Sequence, residues 1–165
     1  MMKTMSFAPK PLCTSIKVVS AIFTALMLGI PIYTLFYDKP VPAAPVIQLL
    51  FPLIWLLGIA SLIRSYELTK GLLVVKRPFW SNHFRLGHNA LAFQKKPTGL
   101  TIRTFGNGGA FSGSGYFWNK EIGTFRAFVT DPREGVWIKT PEKTLLVTPD
   151  DPAEFMKSFE DLKEN

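Results

Sequence analysis

The residues best suited to chemistry are few. His83 and His88 are the only histidines, and no acid lies within fifteen residues of either. Zinc takes four ligands, and the metalloprotease pattern H-E-x-x-H is absent, so this pair lacks the partners that a metal site needs. Cys13 is the only cysteine, which excludes an intrachain disulfide and a cysteine-based zinc site. Glycines at 106, 108, 109, 113 and 115 suggest a phosphate loop. The dinucleotide spacing fails, because the sixth position from Gly106 is Phe111, and no Gly-Lys-Ser/Thr follows. The stretch also leads into strand-like sequence where either motif requires a helix, so it reads as a strand connection with close backbone approach. Gly113-Ser114-Gly115 lacks the spacing of a serine nucleophile elbow. Asp131, Asp150 and Asp151 stand beside prolines, where carboxylates serve turns and helix caps. No enzyme activity, cofactor or metal is therefore expected.

The elements that would position any site begin with a membrane hairpin. Val18 to Tyr37 is 20 uncharged residues, about 30 Å of helix, which matches a hydrocarbon core. Val46 to Ile63 adds 18 uncharged residues, roughly 27 Å. Residues 38–45 hold three prolines and are too few to cross back. The expected organisation is an N-terminus at 1–17, transmembrane helices at 18–37 and 46–63, and a domain at 64–165. Ala21, Ala25 and Gly29 recur at every fourth position of the first helix. That row is expected to pack against the second helix near Gly58 and Ser61.

Charge orients the hairpin. The formal net charge is +7. Lys3, Lys10 and Lys17 precede the first helix, and Arg64, Lys70, Lys76 and Arg77 follow the second. The positive-inside rule then places both termini in the cytoplasm, with a two-pass chain in the inner membrane. From Arg64 to Lys96 seven bases face the single acid Glu67. Such a collar beside a bilayer points to anionic headgroups, with Arg64, Lys70, Lys76, Arg77 and the neighbouring Trp80 at the surface. No nucleic-acid module accompanies these bases.

Beyond Arg64 the period becomes that of strands. Tyr66 to Thr69 and Leu72 to Lys76 flank a Lys70-Gly71 turn. A third strand is expected within Phe79 to Leu86, while His88 to Thr98 reads as irregular. Further strands are expected at Leu100 to Phe105, Gly123 to Thr130, Val136 to Lys139 and Thr144 to Thr148, as an antiparallel meander. Asp151 and Pro152 then open an amphipathic helix, about 152–163, whose Phe155, Phe159 and Leu162 share one side and are expected to close the barrel.

The chain resembles the bacterial PH-like (pleckstrin-homology-like) domains that follow a two-helix membrane hairpin. The resemblance rests on Tyr66-Glu67-Leu68-Thr69 with Gly71-Leu72, on Gly108-Gly109-Ala110-Phe111 to Gly115-Tyr116-Phe117, and on Leu145 to Phe155. It implies a mainly β PH-like barrel of about seven antiparallel strands, closed by a C-terminal helix, and no catalytic residues. The Arg-x-Arg element of phosphoinositide-binding PH domains is missing after Lys70. The expected role is a membrane-anchored interaction module that binds a protein partner or an anionic lipid surface. The alternative is an accessory subunit of a membrane enzyme or transport complex.

Overall fold

The computed structural model describes residues 4–37, 42–87, 89–96 and 98–164. Three helices and ten strands follow one another as β1 (Met5–Phe7), α1 (Thr14–Phe36), α2 (Ala44–Ala60), β2 (Ser65–Thr69), β3 (Leu72–Lys76), β4 (Ser81–Arg85), β5 (Leu91–Phe93), β6 (Thr101–Gly108), β7 (Gly113–Asn119), β8 (Gly123–Val129), β9 (Val136–Lys139), β10 (Thr144–Val147) and α3 (Pro152–Glu164). His88 and the connecting residues 38–41 lie outside the described residues.

α1 and α2 pack together, but not through the row of small side chains. Ala21, Ala25 and Gly29 are exposed, and a Cβ added at Gly29 would meet nothing. The covered positions include Ser20, Thr24, Met27, Pro31 and Thr34, spaced alternately by four and three, with Phe23 and Leu28 beside them. Hydrogen bonds explain the choice of face. Trp55 Nε1 donates to Thr24 Oγ1 at 3.1 Å, and Gln48 Nε2 donates to Thr34 Oγ1 at 3.1 Å. In an apolar surrounding these polar tips need each other more than small residues need contact. α1, with 23 residues and a mean hydropathy of 2.0, is long and apolar enough to cross a membrane. α2 has 17 residues, about 26 Å of rise. It stops short of the expected Ile63 because Ser61 and Leu62 close the last turn onto Gly58 and Ile59.

The strands form two sheets rather than one closed barrel. The first has the order β1-β2-β3-β4 and the second β5-β9-β10-β8-β7-β6. The count exceeds the expected seven, partly because β1 and β5 lie where no strand was expected. β1 is three residues long and finds its partner β2 some sixty residues later, Met5 opposite Leu68. Nor is the second sheet a meander. Residues 130–135 carry β9 one position outward, and β10 returns between β9 and β8, parallel to β8. Turn signals place strands next to their sequence neighbours and cannot show such a return.

The main core lies between the sheets and under α3. It holds Phe7, Tyr66, Leu73, Phe84, Phe128, Ile138, Phe155 and Phe159, with Leu162 packed against it. A smaller cluster of Phe125, Ala127, Val129, Trp137 and Leu146 lies on the other face of the six-stranded sheet, so its strands β8, β9 and β10 are buried on both sides. Asp151 caps α3 by accepting from the Glu154 N–H at 2.9 Å. Tyr66 joins the two sheets. Its buried hydroxyl donates to Phe128 O at 2.7 Å and lies 3.3 Å from both the amide N and the Oγ1 of Thr148. Burial pushes the phenol up to about 12.

Candidate functional site

The glycine-rich tip of the β6-β7 hairpin makes a junction between the helices and the β domain. Gly115 has φ +155°, and a Cβ there would lie 2.1 Å from Phe105 O, so only glycine allows the two strands to approach this closely. The tip ends in Phe111, the one non-glycine described with positive φ, at +64°. Two contacts hold this strained residue. Its N–H donates to Ser20 Oγ on α1 at 2.8 Å, and its ring packs edge-on to Phe23, centroids 6.2 Å apart. On α2, Gly58 leaves room for both rings: an added Cβ would lie 3.1 Å from Phe23 and 3.2 Å from Phe111. Asn107 accepts from the Ala110 N–H at 3.1 Å and donates to Ser61 Oγ at 2.7 Å. Ser112 Oγ donates to Ser61 O at 2.9 Å. The tip is thus seated between the two helices.

Arg77 fastens the other side. Its Nη1 donates to Ser61 O at 2.8 Å and its Nε to Asn82 Oδ1 at 3.1 Å. The guanidinium lies 5.6 Å from the Trp80 ring and 5.3 Å from the Phe128 ring. Burial, and then the charge of Arg126, hold it below its ordinary value. Arg126, on β8, stands 5.0 Å from the same Phe128 ring and 5.3 Å from each of Phe84 and Tyr116. Lys143 also lies 5.3 Å from Phe84. A line of cations over aromatic rings therefore runs between the edge of β4 and the β7-β8 strands. Exposed aromatics stand near it: Phe79 and Trp80 after β3, Phe105 on β6, and Tyr116 and Trp118 on β7.

The structure divides the bases of the expected collar. Arg64, Lys76, Arg77 and Trp80 lie at the helical end of the β2-β3 hairpin, where the Arg64 N–H donates to Lys76 O at 2.8 Å. Lys76 is ion-paired to Glu67 at 2.6 Å. Lys70 is at the opposite turn, roughly 17 Å away by strand rise. There it lines a hollow of about 460 Å³ with Arg85, Leu86, Phe159, Leu162 and Lys163. His83 is exposed on β4. Asp131 binds Arg133, which holds its carboxyl below the usual range, and Glu134 is held down by its ion pair with Lys10. Sequence reasoning missed Arg126, Asn107 and Ser112. The one signal for Arg126 was Phe128 two residues later, a large apolar side chain on the face opposite Phe125 and Ala127.

A family model described as a bacterial PH domain matches residues 64–163. No curated protein and no solved structure matches the chain.

Proposed function

Because the chain belongs to the bacterial PH domain family, we propose that it is a two-pass interaction module of the bacterial inner membrane that holds this domain against the cytoplasmic leaflet. There it binds a protein partner or the anionic lipid surface. The observation that carries the reading is the bareness of the helical hairpin. Leu26, Ile32, Leu35, Leu49, Leu53 and Leu57 are all at least half exposed. Large apolar side chains around both helices are stable in a hydrocarbon and unstable in water. A common side for the two termini is supported by β1, which precedes α1 yet pairs with β2 beyond α2. The positive flanks favour the cytoplasmic side.

Thiol labelling of intact cells tests the topology. With Cys13→Ala as background, a cysteine introduced as Pro40→Cys should react with a membrane-impermeant maleimide. One introduced as Lys157→Cys on α3 should react only after permeabilisation. Labelling of Lys157→Cys in intact cells overturns the placement.

A further inference from the structure

The cations between the edge strand β4 and the face of β8 lack what buried or half-buried cations ordinarily have. Among the described residues no carboxylate pairs with Arg77, Arg126 or Lys143. Arg77 spends Nε and one Nη1 proton on Asn82 and Ser61, which leaves three of its five donors. Among the described residues Arg126 has ring contacts and neither an ion pair nor a side-chain hydrogen bond, so its donor fork is available. The two guanidinium carbons lie 5.3 and 5.0 Å from the Phe128 ring centre, and at most the sum of those distances separates them. A phosphate bridging two guanidiniums from between them sets their carbons roughly 8 Å apart, with hydrogen bonds of about 2.8 Å on each side. That bridging span falls within the limit, and two like charges beside one ring are relieved by a shared oxyanion.

We propose that Arg77 and Arg126 bind the phosphate of an anionic membrane lipid, with Lys143 adding charge and Trp80 and Tyr116 covering the glycerol side. The occupant is a lipid for two reasons. Arg77 is bonded to Ser61 O at the end of α2, which sets the site at the headgroup depth of any bilayer that the hairpin crosses. The exposed rings beside it, Trp80 and Tyr116, are of the type that partitions to that depth. The position differs from the Lys70 turn, which lies at the far end of the β2-β3 hairpin. The proposal rests on the membrane reading for the source of the phosphate, but not for the presence of an anion site.

The full chain in neutral detergent should be titrated with dihexanoyl phosphatidylglycerol and, separately, with inorganic phosphate, with tryptophan fluorescence as the readout. The lipid should bind saturably. Arg126→Gln should weaken it at least tenfold, and Arg126→Lys less, since lysine keeps the charge and loses the fork. Trp80→Ala and Tyr116→Ala, at exposed positions that leave the fold intact, should each weaken it severalfold. Lys139→Gln, exposed on β9, should change nothing. Melting temperatures of all variants report folding independently. Lipid affinity in folded Arg126→Gln within twofold of the parent, or no saturation in the parent, overturns the site. Inorganic phosphate binding as tightly as the lipid overturns the lipid assignment. The cysteine-labelling topology of Arg126→Gln should match the parent, so failure of the phosphate site and failure of the membrane placement give different results.

Discussion

Tyr66 shows how much one hydroxyl can hold. It satisfies Phe128 O and contacts Thr148, residues on or next to strands of the other sheet. Tyr66→Phe leaves buried partners without a hydrogen bond and should cost about 1 to 3 kcal/mol by chemical denaturation. The sign of the pH effect follows from a phenol raised from 10.0 to about 12. Below pH 10 the folded and unfolded chains both keep the proton, and the contribution is constant. As pH rises from about 10 to 12 the unfolded chain releases it first, so stability falls. The gap between the parent and Tyr66→Phe should therefore narrow across that window; parallel curves would show that the phenol is not held as described. Tyr66 was legible as a strand residue, yet its bond to a strand sixty residues away was not. Arg126 was hidden for a related reason. Phe125, Ala127 and Val129 mark a core face by alternation, and alternation assigns Arg126 to solvent unless the opposite face is also buried.

At the level of elements, legibility followed the range of the contacts. The β2-β3 turn at Lys70-Gly71 and the capped start of α3 are decided by neighbours in the chain, and both lie where the sequence puts them. β1 and the parallel β8-β10 pair depend on partners far off, so no local signal announces them. The α1-α2 seam was misplaced because a regular row of small residues does not say which face of the helix is covered, and Thr24 and Thr34 finding Trp55 and Gln48 decides it. α3 makes its own prediction. Phe155 is fully buried and meets Phe7 edge-on at 5.0 Å. Phe155→Ala should cost roughly 3 to 5 kcal/mol, read from a denaturant midpoint. A loss below 1 kcal/mol would mean that the helix does not close this core.

For the molecule as a whole, the segment ahead of α1 belongs to the domain behind α2. Lys10 N–H donates to Thr148 O at 2.9 Å and Cys13 N–H to Thr130 O at 3.1 Å, while Phe7 fills part of the core. A fragment that begins at Arg64 forfeits Phe7, whose burial stabilises by about 1.5 to 3 kcal/mol, and uncovers β2 as an edge. It should melt several degrees below a version that carries residues 4–12 through a short linker; equal melting would assign β1 no energetic role. The same double attachment has a mechanical consequence. A head on one flexible tether sweeps a hemisphere and meets partners at any bearing. Here the strand before α1, the chain leaving α2 and the wedge of Phe111 are three separate moorings, and each added mooring removes freedom to rotate. On a bilayer crossed by the proposed hairpin, the face that carries Arg77 and Arg126 would sit at one altitude and one azimuth, so whatever it recognises would reach it by moving along the bilayer rather than by descending onto it.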